Sequence, residues 1–95
     1  MFIYGAKRHE VDYYMQKINQ IERRHLVKYN GYGDMIMDGS DFCDDIVNFA
    51  IDEDFTMDEE YTVVSKKKAV ATFILSDARI TIILSYIVKR KGLRE

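Results

Sequence analysis

Two runs decide the fold class: Ala69-Val70-Ala71-Thr72-Phe73-Ile74-Leu75, and Ile80-Thr81-Ile82-Ile83-Leu84-Ser85-Tyr86-Ile87-Val88, joined across Ser76-Asp77-Ala78. In the second run Ile80, Ile82, Leu84, Tyr86 and Val88 alternate, which is the period of a strand with one buried face. Ile80, Ile83, Leu84, Ile87 and Lys91 also fit a helical stripe, with Asp77 as its cap and Gly92 as its stop. The density of β-branched residues favours strand, because such side chains lose rotamer freedom in a helix and pack well on a pleated surface. Asp77 and Arg79 interrupt the region, whereas a membrane span needs about 20 apolar residues with few or no charges.

Working outward, Tyr61 to Ser65 reads as a strand leading into the basic turn Lys66-Lys67-Lys68. Met1 to Tyr4 reads as a short strand ending at Gly5. Between them the period changes. From Lys7 to Lys28, Val11, Tyr14, Met15, Ile18, Ile21, His25 and Leu26 recur at three- and four-residue steps, the mark of an amphipathic helix. Arg23, Arg24, His25 and Lys28 complement its C-terminal dipole, and Asn30-Gly31 with Gly33 supplies a stop. A second helix runs from Ser40 or Asp41 to about Asp52, with Asp38, Ser40 and Asp41 as candidate caps. Phe42, Ile46, Phe49 and Ala50 form its apolar side, widened by Cys43 and Val47. The expected architecture is α+β: two amphipathic helices on one face of a small, mainly antiparallel sheet of three or four strands.

The 95 residues, 47% of them hydrophobic, suffice for a single domain over residues 1–95 with a packed core. Cys43 is the sole cysteine, so no intrachain disulfide can form, and a reducing cytoplasm is the expected setting. Met1-Phe2-Ile3-Tyr4 reaches Gly5, Lys7 and Arg8 before any apolar run develops, unlike a signal peptide. Proline is absent, and Ile, Lys, Asp, Glu and Tyr are frequent, a mix found in AT-rich genomes that include many bacteriophages.

The net charge of −2 conceals a strong segregation. Eleven acidic residues lie between Asp34 and Glu60 with no Lys, Arg or His among them. The rest of the chain carries 14 basic against five acidic residues, a balance of +9. At about 100° per residue, Asp41, Asp44, Asp45, Asn48 and Asp52 share one sector of the second helix, opposite Phe42, Ile46 and Phe49. Like charges at such spacing destabilise a helix by about 0.2–0.5 kcal/mol per pair. Asp52-Glu53-Asp54 adds negative charge at the end of the helix, where it opposes the dipole. One reading is a solvated face that maintains solubility. The other is a recognition surface, in which carboxylates imitate a row of phosphates and steer the protein into a positive groove.

The basic residues divide in the same way. Lys66-Lys67-Lys68 at a hairpin tip, and Lys89-Arg90-Lys91 with Arg94, would either protect sheet edges or touch phosphates. A pI near 5.7 argues against a dedicated nucleic-acid-binding domain. The seven tyrosines match no base-stacking strand motif.

No reactive constellation emerges. His9, His25 and Cys43 have no metal-ligand spacing. Glu22-Arg23-Arg24-His25 contains the Glu-x-x-His step of di-iron bundles, but only once. Asp52 to Met57 lacks the glycine of a calcium loop. Cys43 sits on an apolar helix side among carboxylates, which disfavours thiolate, so it reads as structural. Gly31-Tyr32-Gly33 is too short to cradle a phosphate. His25 lies on the core-facing stripe and reads as a packing histidine.

The expectation is a non-enzymatic interaction protein with no cofactor and no metal, similar in size and acidity to small phage-encoded inhibitors of host enzymes. Its partner would be a basic protein, such as a defence nuclease or transcription factor, whose nucleic-acid groove it blocks. The candidate contacts are Asp41, Asp44, Asp45 and Asp52, then Glu53, Asp54, Asp58, Glu59 and Glu60. Two alternatives stand beside it. One is a nucleic-acid-binding domain using Lys66, Lys67, Lys68, Lys89, Arg90 and Lys91. The other is a self-associating protein, a homo-oligomer in which acidic and basic parts of different copies meet.

Overall fold

The helix-forming and strand-forming segments assemble as an α+β structure, seen in a computed structural model that describes residues 1–89. In chain order the elements are β1 (Phe2–Tyr4), α1 (Arg8–His25), β2 (Leu26–Tyr29), β3 (Met35–Met37), α2 (Gly39–Asp52), β4 (Thr56–Val63), β5 (Lys68–Ser76) and β6 (Thr81–Lys89). The strands form one sheet in the order β2-β3-β6-β5-β4. β1 also pairs with β6, through Phe2 opposite Ile83 and Tyr4 opposite Thr81. β3 runs parallel to β6 and every other pair is antiparallel.

The strand reading of residues 80–88 holds, and β5 and β6 form the central hairpin expected of them. Its turn is fixed by Asp77, whose Oδ1 accepts the backbone N–H groups of Arg79 at 2.8 Å and Ile80 at 2.6 Å. The sheet itself is larger than the expected three or four strands and is mixed. It has six strands, because Leu26–Tyr29 and Met35–Met37 were not distinguishable as strands in a window of 3 or 4 residues. α1 accordingly stops at His25 and not at Lys28. Leu26 turns extended and pairs with Met37, while the His25 carbonyl accepts the Asp38 N–H at 2.9 Å. Asn30 and Gly33 shape the β2–β3 turn instead of ending a helix. The Asn30 side-chain oxygen accepts from the Tyr32 and Asp34 N–H groups, and Gly33 takes φ +82°. β4 begins at Thr56, five residues before the expected Tyr61, because an edge strand tolerates the charges of Asp58, Glu59 and Glu60. Arg90, Lys91, Gly92 and Arg94 lie outside the described residues.

Alternation along β5 and β6 sorts the two faces. Ala69, Ala71, Phe73 and Leu75, with Ile82, Leu84, Tyr86 and Val88, join one buried cluster. Ile18 and Ile21 of α1 and Phe42, Ile46 and Phe49 of α2 complete it, so both helices cover the same face. Phe42 is the hub: its ring meets His25, Phe73 and Tyr86 edge-on, the last at 4.9 Å between centroids. Burying such a ring is worth about 1.5–3 kcal/mol before the aromatic geometry adds to it.

Two features fix the ends of the helices. Gly5 has φ +76°, and a Cβ there would lie 2.1 Å from the Arg79 carbonyl oxygen, so only glycine brings β1 this close to the hairpin turn. Arg79 then forms a two-pronged ion pair with Glu10 of α1, at 2.6 and 2.9 Å. At the other end, α2 closes on a Schellman motif in which Asp54 takes the left-handed position, φ 60°. The Asp54 N–H bonds the Ile51 carbonyl and the Phe55 N–H bonds the Ala50 carbonyl at 2.8 Å.

Candidate protein-interaction surface

The two helices lie antiparallel, and this decides the fate of the acidic stripe. The C-terminal end of α1 meets the first half of α2, while Tyr13 of α1 donates its hydroxyl to Glu53 beyond the end of α2. Asp45 is the stripe residue nearest α1. Its Oδ2 accepts from His25 Nε2 at 2.6 Å and from Arg24 at 2.9 Å. An ionised carboxylate only accepts, so the His25 ring carries its proton on Nε2. These bonds, His25 foremost, hold the Asp45 carboxyl below the usual carboxylate range. His25 is thus a packing histidine with a polar partner, its ring against Phe42.

Asp45 therefore belongs to the helix–helix contact, and its side chain is only 27% exposed. Asp41 and Asp52 are exposed and form no ion pair with any described residue. Asp44 is half-buried. Glu53 is half-buried under Tyr13, and the hydrogen bond between them pushes the phenol pKa up. Asp54 is exposed in its left-handed turn.

The strand acids part company. Glu59 pairs with Phe73 and so lies on the helix-covered side of the sheet, accepting the Tyr61 hydroxyl at 3.0 Å. Asp58 and Glu60 pair with Ile74 and Thr72 and point to the opposite, uncovered side. The structure thus brings Asp41, Asp44, Asp52, Glu53, Asp54 and Glu59 to the helix side, assigns Asp45 to an internal contact, and sends Asp58 and Glu60 elsewhere.

Apolar neighbours join the helix-side group. Ile51 is 68% exposed and lies two turns beyond Asp44 on the same line of α2. On a helical wheel Ile51 falls opposite Phe42 and Ile46, and an isoleucine on the carboxylate side is the sequence signal for it. Tyr61 touches the edge of this region. Its ring meets Phe73 edge-on at 6.4 Å, and partial burial together with the Cys43 thiol pushes its hydroxyl far above the usual range. Cys43 itself is buried in the core.

A concavity of about 600 Å³ opens where β1 and β3 lie end to end along β6. Met1, Tyr29, Asp34, Met35 and Ser85 line it, and at its inner wall the buried Tyr86 hydroxyl donates to Glu22 at 2.7 Å. Burial, and then the hydrogen bond to Glu22, raise the Tyr86 phenol well beyond its usual range, so the hydroxyl keeps the proton it donates. Among the described residues no group of three His, Cys, Asp or Glu is disposed to hold a metal ion. No helix among them is long and apolar enough to cross a membrane.

Comparison of the chain with protein-family models, with curated proteins and with solved structures finds no match. The surface is therefore read from its own chemistry.

Proposed function

We propose that this protein is a non-enzymatic interaction module, whose outer α2 surface enters a basic, nucleic-acid-binding groove on another protein. One observation carries the reading. α2 holds a line of carboxylates that runs into Glu53 and Asp54, and among the described residues Asp41 and Asp52 are exposed and form no ion pair, while Asp45 is held by Arg24 and His25. Asp41 to Asp52 spans roughly 16 Å of helix at ~1.5 Å per residue. The fold accepts like-charge repulsion and a left-handed Asp54 to keep these charges together. Ile51 supplies the apolar contact that purely polar surfaces lack. A DNA-handling host enzyme of a phage-type inhibitor, such as a defence nuclease or transcription factor, is the class of partner that fits.

The test is affinity capture from bacterial lysate, with mass spectrometry, on the native chain and on Asp41→Asn, Asp44→Asn, Asp52→Asn combined. Asp45 is left intact because it holds α1 to α2. Capture of a nucleic-acid enzyme by the native bait alone supports the reading. Equal recovery on both baits refutes it.

A second reading has one observation in its favour. Lys68 stands directly opposite Lys89 across β5 and β6, and Lys66 and Lys67 occupy the adjoining turn. Like charges directly opposite are destabilising, and phosphate contact would relieve them. Replacing Lys66, Lys67 and Lys68 by Ala should abolish nucleic-acid binding if this end of the sheet is the site.

A further inference from the structure

The helices leave one side of the sheet uncovered by any described helix or strand. Its middle carries no charge along β5 and β6: Val70, Thr72, Ile74 and Ser76 face Ile87, Ser85, Ile83 and Thr81. Phe2 and Tyr4 extend it, 62% and 56% exposed, with their rings stacked at 6.4 Å. Solvated faces of antiparallel sheets ordinarily alternate to polar residues. An exposed apolar patch rimmed by polar residues marks an interaction site.

The rim identifies the occupant. Along the β4 edge stand Asp58 and Glu60, and at the far end of the strands stand Lys68 and Lys89, joined by Lys28 opposite Ile36. One face thus holds an apolar centre, an acidic edge and a basic end. Such a surface complements itself.

We propose that this uncovered face seats a second copy of the chain, sheet against sheet, about a two-fold axis. Stacked sheets pack either nearly aligned or at about 90°. An aligned pair about an axis along the strands sets lysine end on lysine end. A crossing near 90° lays the β4 edge of one copy along the lysine end of the other, and the two-fold axis repeats the contact. The size is adequate. Strands of 3 to 9 residues, at ~3.3 Å per residue and ~4.8 Å between strands, present roughly 570 Å², and two such faces clear the ~1,000 Å² total of a specific interface. The α2 surface lies on the other layer and stays open in the dimer, so the two inferences stand or fall separately.

The test is sedimentation equilibrium and light scattering on the full chain. The native protein should show twice the 11.2 kDa chain mass. Ile74→Lys should raise the dissociation constant at least about tenfold, ~1.4 kcal/mol, while its circular dichroism stays native. Glu60→Lys and Lys89→Glu should each weaken the dimer, and the two combined should restore it. That recovery separates loss of contact from loss of fold. A single-chain mass at every attainable concentration overturns the proposal. So does a dimer indifferent to Ile74→Lys, or one that the double reversal fails to restore.

Discussion

Asp45 Oδ2 lies 2.6 Å from His25 Nε2, so one carboxylate of the α2 stripe ties the two helices together. Asp45→Asn should cost about 1.5–3 kcal/mol, the scale of a hydrogen bond to a charged group. Urea unfolding measures it. Asp41→Asn, at an exposed position on the same helix, should be neutral or slightly stabilising.

Acid should unfold the protein through defined groups. Glu10 is lowered from 4.5 to about 2, chiefly by its hydrogen bonds from Arg79 and then from the Lys7 backbone, and Asp45 and Asp77 are also lowered. A carboxylate depressed in the folded state contributes stability above its unfolded pKa and loses it as pH falls through the folded one. Stability should therefore decline between pH 4.5 and about 2, and Glu10→Gln should flatten that decline. Urea midpoints measured across this range decide it, and an unchanged slope in Glu10→Gln would contradict the account.

Asp54 occupies a position that glycine fills in most Schellman endings. Asp54→Gly should raise stability by about 1 kcal/mol, since a left-handed L-residue costs roughly 1–2 kcal/mol. If Asp54 is kept for its charge, the same variant should bind its partner more weakly. Thermal melts and a binding titration on one sample read both effects.

Gly5→Ala should destabilise by about 2 kcal/mol or more, because the new Cβ meets the Arg79 carbonyl at 2.1 Å and the backbone strain adds to the clash. A melt within error of the native protein would show that this corner relaxes freely.

Much of this was legible in residue order. The alternation of Ile80 to Val88 and the three-and-four spacing of Ile18 and Ile21 both report burial, which is a periodic property. Leu26–Tyr29 and Met35–Met37 were not legible, because strands of 4 and 3 residues exist only through their pairing with each other and with β6. The acidic run was visible, but its division was not. Whether Asp45 turns inward depends on where α1 ends, and which of Asp58 and Glu59 faces the helices depends on the register of β4 on β5. The left-handed Asp54 gave no glycine to betray it.

The most direct measurement is displacement. The protein captured by the native chain is bound to fluorescent duplex DNA, and the chain is titrated in as competitor. The account predicts stoichiometric release of DNA by the native chain, weakened by added salt, and at least about tenfold weaker release, ~1.4 kcal/mol, by the variant with Asp41, Asp44 and Asp52 changed to Asn. A ternary complex in which DNA stays bound, or equal release by the variant, would contradict it.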